Sequence, residues 1–320
     1  MKHKYIGGFF DLELNDNETL YHDNALALNS GRACLLLILN NIKPRKIYIP
    51  YYTCDIIIKT LRFAKVSYKY YVINKKLEPD RVDLKEEEYI LYINYFGIKS
   101  DIINNLIKKY EHNIIIDNSQ GFYEKAYDNI WSFNSARKFF GVPDGAFLYS
   151  PIDIDLNQYI IPNMVFYEHL INRLIGKQGK AYKQFRLSEN KIDFKIKNIS
   201  DLSLKILRGV DYKKVKQKRL KNFNYLNKKL KEFNRLRFKK KKKDVPMCYP
   251  FFPKKMIDKK YFHSKNIFIP SFWERKIATI KFGFDYEKKM LKYLLPLPID
   301  QRYDYDDLDY ILAKVLNKVN

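Results

Sequence analysis

Cysteine and histidine are scarce in this sequence, and their spacing excludes two kinds of site. The three cysteines, Cys34, Cys54 and Cys248, are odd in number, and no two of them have CxxC spacing. We therefore expect reduced thiols in a cytoplasmic protein rather than a disulfide framework. The five histidines are scattered, without an HxxxH or HExxH pair, so no zinc site is expected.

Long apolar runs are also missing. Because no stretch of about 18 consecutive apolar residues occurs, the sequence predicts no transmembrane segment. Residues 1–14 contain no apolar core ahead of the first acidic residues, and we expect no export signal. The chain has 320 residues, of which 46% are hydrophobic. This length and composition predict a globular protein with one large domain and a smaller one.

Acidic residues are too few to balance the basic ones. The chain has 60 Lys and Arg against 36 Asp and Glu, a net charge of +24, and residues 201–260 alone hold 22 basic and 5 acidic side chains. The run RFKKKKKD (237–244) is typical of a solvated turn, so we expect no nucleic-acid partner. The positive electrostatic field of this net charge is better explained by attraction of an anionic small substrate or an anionic membrane surface.

The first half of the sequence alternates strand and helix patterns, which predicts an α/β fold. The strands are short and strongly apolar, as in a mostly parallel central sheet flanked by helices on both faces. We predict strands at 25–30, 46–52, 66–73, 88–97, 113–117, 129–133 and 145–150, and helices at 31–42, 54–65 and 100–112, the last capped by Ser100.

The second half predicts a smaller α+β domain. We place the large cofactor-binding domain at 1–195 and the small C-terminal domain at 196–320, and we find no internal repeats. Residues 155–195 have no readable pattern. The other predicted elements are a helix or helix pair at 200–233 joined near Gly209, strands at 245–253, 266–270 and 291–299, and a helix at 303–319 started by Asp304 or Asp306.

Two candidate site features follow predicted strands, where an open parallel sheet collects its ligands. In SGRA (30–33), Gly31 permits close approach, and the helix N-terminus behind it offers N–H groups to an anion. An ordinary serine cap with a glycine would look the same. In IIIDNSQG (114–121), Asp117 is a carboxylate at the end of a buried strand, which needs a cation or hydrogen-bond donors. A helix N-cap is the alternative there.

Two further features follow the next strand. Ser132 could donate its hydroxyl to an anion, or be a buried serine without a role. Lys138 lies in SFNSARKFFGVPDGA (132–146), where Phe139 and Phe140 could provide apolar surroundings. Such surroundings favour the neutral amine, a nucleophile suited to a Schiff base. A basic surface loop is the alternative.

Together the four features match the needs of pyridoxal 5'-phosphate. Its aldehyde needs a lysine, its pyridine nitrogen needs a carboxylate that keeps the nitrogen protonated, and its phosphate needs backbone N–H groups and hydroxyls. The sequence resembles the DegT family of sugar aminotransferases, which have the fold-type I aminotransferase fold. The matching stretches are LNSGRACL (28–35), the segment 47–80, INYFG (93–97), IIIDNSQGF (114–122), SFNSARKFFGVPDGAFLY (132–149) and, more loosely, LPLPIDQRYDYDDLDYIL (295–312).

The resemblance implies a role for each matching residue. Lys138 would bond to the cofactor aldehyde and then move the substrate proton, and Asp117 would pair with the pyridine nitrogen. Gln120 would lie near the ring 3-hydroxyl, and Ser132 would bind the phosphate. The phosphate would also meet Gly31, Arg32 and Ala33, and Cys54 occupies the position next to the ring. In this family the site lies at a dimer interface, so a homodimer is implied.

Three residues depart from the family pattern. Arg32 replaces a threonine or serine, and its guanidinium could serve the phosphate instead. Cys54 replaces the aromatic residue that stacks on the ring, so Tyr51 or Tyr52 would take over or the stack would be absent. Arg137 occupies the usual lysine position, one residue before Lys138. Because a guanidinium stays protonated at ordinary pH, Lys138 must supply the amine.

The resemblance implies an aminotransferase that acts on a nucleotide-linked keto-sugar. The amino donor would be an amino acid, glutamate in the first place, and surface polysaccharide synthesis is the usual setting of the family. A non-catalytic relative that binds a partner protein is the alternative, favoured by Cys54 and Arg137. A sugar dehydratase on the same scaffold is a third possibility, which the presence of Lys138 disfavours.

Overall fold

A seven-stranded sheet forms the centre of the computed structural model, which describes residues 12–15, 19–162, 165–238, 241, 243–273 and 283–319. Its strands are β1 (Leu26–Leu28), β2 (Lys46–Pro50), β3 (Ser67–Tyr71), β4 (Glu88–Ile93), β5 (Ile114–Asn118), β6 (Trp131–Asn134) and β7 (Ala146–Tyr149). They lie in the order β1-β7-β6-β5-β4-β2-β3. Only β7 runs against its two neighbours, and the other pairs are parallel. The expected α/β fold with a mostly parallel sheet is confirmed.

Three helices of this half connect the parallel strands, close to the predicted positions. They are α1 (Gly31–Ile42), α2 (Asp55–Phe63) and α3 (Ser100–Tyr110). Helix α1 begins where Ser30 Oγ accepts a hydrogen bond from the Ala33 N–H at 3.2 Å, as a serine cap should. The cap predicted for α3 is wrong, because Lys99 is the N-cap and the Ser100 hydroxyl donates instead to the Asp244 carboxylate.

Strand β4 ends four residues earlier than predicted, at a tight turn. Phe96 and Gly97 both have left-handed backbone conformations, with φ of 61° and 71°. The Phe96 N–H donates to Gln120 Oε1 at 2.7 Å, and a Cβ on Gly97 would lie 2.4 Å from the Gln120 carbonyl oxygen. The apolar run therefore continues in sequence while the backbone leaves the sheet.

Replacing Gly97 by alanine is expected to destabilise the fold by at least about 3 kcal/mol, because both the positive φ and the overlap with backbone penalise a side chain. Gly179 is the matched control, since a Cβ there meets nothing within 4 Å. Alanine at this helical position should stabilise by up to about 1 kcal/mol. Urea unfolding measures both changes, and equal midpoints for the two variants would contradict this description of the turn.

The second half of the chain is mainly helical. A two-stranded antiparallel sheet accompanies the helices, and the helix pair expected at 200–233 is found, with Gly209 at the join. The elements are α4 (Glu168–Leu174), α5 (Gln178–Lys191), α6 (Asp201–Arg208), α7 (Tyr212–Leu230), β8 (Tyr249–Phe251), α8 (Lys259–His263), α9 (Asp285–Tyr293), β9 (Leu295–Leu297) and α10 (Tyr305–Val319).

Several predicted boundaries in this half need correction. Residues 266–270 form no strand, because Ile267 and Ile269 are buried in a hydrophobic cluster without a backbone partner strand. The strand predicted at 291–299 is shorter, since its first residues belong to α9. Helix α10 is capped by Asp304, whose Oδ1 accepts from the Asp307 N–H at 3.2 Å.

Two hydrophobic cores organise the molecule. The larger one covers both faces of the central sheet, and the second lies between α7, the β8–β9 pair and α10. A smaller aromatic cluster around Phe122, Phe139 and Phe140 lies beneath the turn that follows β6. Within the described ranges, no helix combines the length and the apolar character needed to cross a lipid bilayer.

Candidate active site

Asp117 is the buried acidic group at the carboxyl end of the central sheet. It is the fourth residue of β5, is only 5% exposed, and accepts a hydrogen bond from the Ser119 N–H at 2.7 Å. Burial raises the pKa of the Asp117 carboxyl, while the Lys138 ammonium and the hydrogen bond from Ser119 oppose that rise. The structure therefore brings the two predicted catalytic side chains within electrostatic reach of each other.

Lys138 ends a single 3-10 turn, Ala136–Lys138, directly after β6. The N–H groups of Phe139 and Phe140 both donate to the Ala136 carbonyl at 2.9 Å, and their rings are buried. Lys138 itself is exposed. The two phenylalanines therefore anchor the turn from below, and they do not surround the amine with apolar groups as the sequence suggested.

Arg219 of α7 holds the chain immediately after Lys138. Its Nη2 donates to the Phe139 carbonyl at 3.3 Å, and the Gln301 side-chain amide donates to the same carbonyl at 2.8 Å. Its Nη1 donates to the Met247 carbonyl at 3.0 Å, and its guanidinium lies 4.4 Å from the centre of the Phe139 ring. Burial lowers the pKa of Arg219 to about 10, so the group is charged at neutral pH. This buried cation ties three distant segments to the lysine turn.

Arg137 points away from Asp117, towards α5. Its Nη2 lies 2.5 Å from Glu189 Oε1. Arg32, the second residue of α1, donates to the Ile192 carbonyl, and its guanidinium lies 5.0 Å from the centre of the Phe194 ring. Both arginines therefore contact the same short segment, 189–194. Burial lowers the pKa of Arg32, the Glu189 carboxylate opposes that effect, and the Arg137 charge adds to it.

The first turn of α1 packs against the residues that flank Asp117. A Cβ on Gly31 would lie 3.5 Å from the Phe133 ring and 3.6 Å from Ser119 Oγ. Phe133 pairs with Asp117 in the β5–β6 register, so both side chains project from the same face of the sheet. The Ala33 N–H already donates to Ser30. Gly31 and Arg32 therefore remain the predicted anion-binding residues nearest to Asp117.

Three other predicted site residues lie around this centre. Gln120 is buried, and its Oε1 accepts the hydrogen bond from Phe96. Ser132 pairs with Ile116, one residue before Asp117, so its side chain projects from the opposite face of the sheet. Its buried hydroxyl has no hydrogen-bond partner in the described part of the chain. Cys54 is the N-cap residue of α2, and its side chain makes no cap hydrogen bond.

The two tyrosines considered for ring stacking are packed among other aromatic residues. Tyr51 stacks on Phe284 with ring centres 4.3 Å apart, and Tyr52 meets Trp273 edge-on at 4.4 Å. The rings of Tyr51 and Tyr52 are thus packed on other aromatic rings and not against Asp117 or Lys138.

A groove of about 490 Å³ lies next to the lysine turn but not at Asp117. Phe140 and Gly141 form one side of it, and residues of α6, α7 and Gln301 form the rest. Neither Asp117 nor Lys138 lines it. In the part of the chain that the structure describes, no group of three His, Cys, Asp or Glu side chains could hold a metal ion.

Sequence reasoning missed Glu189 and Arg219. Both come from segments far from the motifs in sequence, and neither stands in a recognisable pattern. For Arg219, the only local signal is an arginine on the apolar side of α7, where Asn222, Phe223 and Leu226 are also buried. A buried arginine of this kind requires acceptors, but the sequence does not say which.

Comparison with known proteins identifies the fold. No protein-family model matches the sequence, and no curated protein matches it. Solved structures do match. A DegT DnrJ EryC1 StrS aminotransferase from Brucella abortus matches at 11% identity over 95% of this chain and 88% of that one, with a TM-score of 0.61. NtdA from Bacillus subtilis, with its cofactor PMP bound, matches at 14% identity over 92% and 72%, with a TM-score of 0.66. Helicobacter pylori PseC, an aminotransferase involved in the biosynthesis of pseudoaminic acid, matches at 15% identity over 94% and 88%, with a TM-score of 0.61. The chain therefore has the fold of these aminotransferases.

Proposed function

We propose that this protein is a pyridoxal-phosphate-dependent aminotransferase that acts on a sugar. The observation that carries the proposal is a buried carboxylate, Asp117, at the carboxyl end of the sheet, whose pKa is raised by burial and held down by the charge of Lys138. A buried carboxyl group perturbed in this way beside a charged group is typical of functional sites. The likeness to structures of sugar aminotransferases supports it.

The residues present fit the cofactor at three points. Asp117 supplies a buried negative charge, which is what a protonated pyridine nitrogen requires. Lys138 supplies an exposed primary amine on the same side. Gly31 and Arg32 supply a helix N-terminus and a guanidinium for the phosphate. When bound, pyridoxal phosphate supplies an electron sink for the negative charge that develops on the substrate carbon.

The chain's own residues would divide the work between charge and proton transfer. Asp117 holds negative charge opposite the ring nitrogen, and its bond from the Ser119 N–H fixes the carboxylate in place. Lys138 Nζ, as the neutral amine, would take up the proton of the substrate carbon and hold it for return. Arg219 and Gln301 fix the Phe139 carbonyl and so the direction from which Nζ approaches. Gln120 would lie near the ring 3-hydroxyl, where the hydrogen bond from the Phe96 N–H holds its side chain.

We propose a nucleotide-linked keto-sugar as the amino acceptor and glutamate as the donor, in surface polysaccharide synthesis. The net charge of +24 supports an anionic substrate such as a nucleotide diphosphate sugar, because a positive field raises its local concentration. The three cysteines are free thiols, which is consistent with the proposed cytoplasmic location. Ser132 projects from the opposite face of the sheet from Asp117, so the phosphate contacts proposed here are those of Gly31 and Arg32.

A mass-spectrometric screen tests the substrate class. The purified protein with pyridoxal phosphate is incubated with glutamate and a panel of nucleotide-linked keto-sugars. We expect one or a few of them to gain an amino group, while a matched panel of free keto-sugars reacts at least about tenfold more slowly for lack of the diphosphate. Amination of the free sugars at the same rate would contradict the nucleotide-linked assignment.

We also propose a homodimer, formed through the α4–α5 hairpin and the segment before it. This part of the described chain exposes many large apolar side chains, and Leu174 is 83% exposed. Apolar surface of this extent marks a contact with another molecule. Sedimentation velocity should give a dimer mass, and a monomer at micromolar concentration would contradict the proposal. The exposed residues are Ile152, Ile160, Ile161, Tyr167, Ile171, Leu174, Ile175, Tyr182, Phe185 and Leu187.

A non-catalytic binding protein is the second candidate. It is favoured by Cys54, which cannot stack on a ring, and by the ion pair that engages Arg137 with Glu189. The two candidates differ in one simple property. A titration of the purified protein with pyridoxal phosphate, followed by absorbance, should show saturable binding for the enzyme and none for the non-catalytic relative.

A further inference from the structure

Arg32 and Arg137 form a cationic pair whose positive charge is only partly balanced by nearby carboxylates. Arg32 is 9% exposed, the Arg137 side chain is 16% exposed, and each acts electrostatically on the other. The carboxylate that contacts Arg137 is Glu189, which is 40% exposed. The Asp144 and Asp193 carboxylates also act on Arg137 and Arg32 respectively, but Asp144 accepts hydrogen bonds from two serine hydroxyls and Asp193 pairs with Lys197. Two largely buried cations in contact with one half-exposed carboxylate can therefore still accept a phosphate.

The contact between Arg137 and Glu189 is an imperfect one. The charges approach to 2.5 Å, yet Arg137 Nε and Glu189 Oε1 are both buried without a hydrogen-bond partner in the described residues. A guanidinium presents several N–H donors in a planar fork, which matches two oxygens of a phosphate. A phosphate could therefore satisfy Nε and Nη2 together, which Glu189 does not do here.

The other groups predicted to bind the phosphate offer few free hydrogen-bond donors. Helix α1 begins at Gly31, but its Ala33 N–H already donates to Ser30. The Ser132 side chain leaves the opposite face of the sheet from Asp117. Arg32 follows Gly31 in the first turn of this helix, and its guanidinium donates to the Ile192 carbonyl, three residues after the Glu189 that contacts Arg137.

We propose that Arg137 and Arg32 together bind the phosphate of the cofactor, and that Glu189 occupies this position when the phosphate is absent. This inference rests on the proposed function. Arg137, at the position where the related enzymes have their lysine, would thus bind the phosphate, whose arm is on the ring carbon next to the one that bears the aldehyde. Glu189 lies in the last turn of α5 and is half-exposed, so it can turn to solvent when a phosphate dianion displaces it.

The experiment compares pyridoxal phosphate with pyridoxal, which has the same ring and aldehyde but no phosphate. Both dissociation constants are measured by equilibrium absorbance titration. The Kd of pyridoxal divided by the Kd of pyridoxal phosphate reports the contribution of the phosphate alone. In Arg137→Gln we expect this ratio to fall by about 10- to 100-fold, the usual effect of a charge-assisted hydrogen bond. In Glu189→Gln we expect it to rise by roughly threefold or more, because the competing carboxylate is gone.

Arg81→Gln is the matched control. Arg81 is an exposed arginine that pairs with Asp83 at 2.9 Å on the surface, and its replacement should leave the ratio unchanged. Unchanged pyridoxal affinity in Arg137→Gln shows that the variant is folded. If that variant does not fold, Glu189→Gln decides, and an unchanged ratio there overturns the inference.

The experiment distinguishes a failure of the phosphate assignment from a failure of the proposed function. Wild-type protein that binds pyridoxal phosphate with the expected saturable signal, together with an Arg137→Gln ratio equal to that of the wild type, overturns the phosphate assignment alone. Wild-type protein that binds neither pyridoxal phosphate nor pyridoxal overturns the proposed function and this inference with it. Inorganic phosphate should weaken binding of pyridoxal phosphate to the wild type and do so less in Arg137→Gln.

Discussion

Replacing Lys138 by alanine is expected to abolish transamination and the absorbance band of covalently bound cofactor, while Arg137→Gln keeps the band. Lys138 provides both the amine that bonds to the cofactor and the base that moves the substrate proton, so the loss in kcat should be at least on the order of 10⁴-fold. The structure separates the two neighbouring cations, because the charge of Lys138 acts on Asp117 and that of Arg137 meets Glu189. Absorbance spectra and single-turnover rates measure the two effects.

The comparison of the two variants protects this prediction against a trivial loss of structure. Both residues lie in the same 3-10 turn, Ala136–Lys138, so damage to the turn would affect both alike. A Lys138→Ala protein that keeps the band, or an Arg137→Gln protein that lacks the band at saturating pyridoxal phosphate, would assign the amine to a different residue.

Replacing Asp117 by asparagine is expected to lower kcat by on the order of 10² to 10³-fold while leaving the fold intact. Asparagine preserves the side-chain oxygen that accepts the hydrogen bond from Ser119 but removes the charge opposite the ring nitrogen. Removal of one preorganised electrostatic contact to charge that develops in the reaction typically costs about 10²- to 10³-fold in kcat, from which this range follows. Steady-state kinetics at saturating cofactor measures the loss, and activity within threefold of wild type would contradict the role of Asp117.

The same substitution should stabilise the cofactor-free protein at neutral pH. Burial raises the pKa of the Asp117 carboxyl in the folded state above its ordinary value near 3.8. A raised folded pKa means that this group supports folding below the unfolded pKa and that this support is lost as pH rises through the folded pKa. The stability gain of the asparagine variant should therefore grow between about pH 3 and pH 7. Thermal unfolding across this range tests the sign, and a variant less stable than wild type at pH 7 would contradict it.

Most of the central sheet could be predicted because its sequence signals are local. Helix α1 has the predicted bounds, since a serine cap and a continuous apolar face define it within twelve residues. Strand β5 begins with the apolar run Ile114–Ile116, which the predicted acidic residue Asp117 and then Asn118 follow. The error at β4 has a non-local cause: the turn at Phe96 is held by Gln120, which is distant in sequence.

The segment between residues 155 and 195 could not be predicted because its helices bury little. In α5 only Ala181 and Ser188 are buried, so no apolar stripe marks the helix in the sequence. At 266–270 the alternating burial of Ile267 and Ile269 resembles a strand, but the backbone has no partner there. Periodicity reports which side chains are buried, and it does not report whether a neighbouring strand exists.

The candidate catalytic residues Asp117 and Lys138 could be proposed from the sequence, whereas Arg219 and Glu189 could not. Asp117 and Lys138 stand out because a carboxylate after a buried strand and a lysine in a glycine-bounded turn are unusual in any sequence. Arg219 and Glu189 reach the same region from α7 and α5. Their contribution depends on how the two halves of the chain pack, which local patterns do not encode.

A crystal structure of the protein grown with pyridoxal phosphate tests the central claim most directly. We expect continuous density between Lys138 Nζ and the cofactor, with the ring nitrogen within hydrogen-bond distance of an Asp117 carboxylate oxygen. Density for a cofactor bound elsewhere, or a ring nitrogen that faces any group other than Asp117, would contradict the assignment of this site.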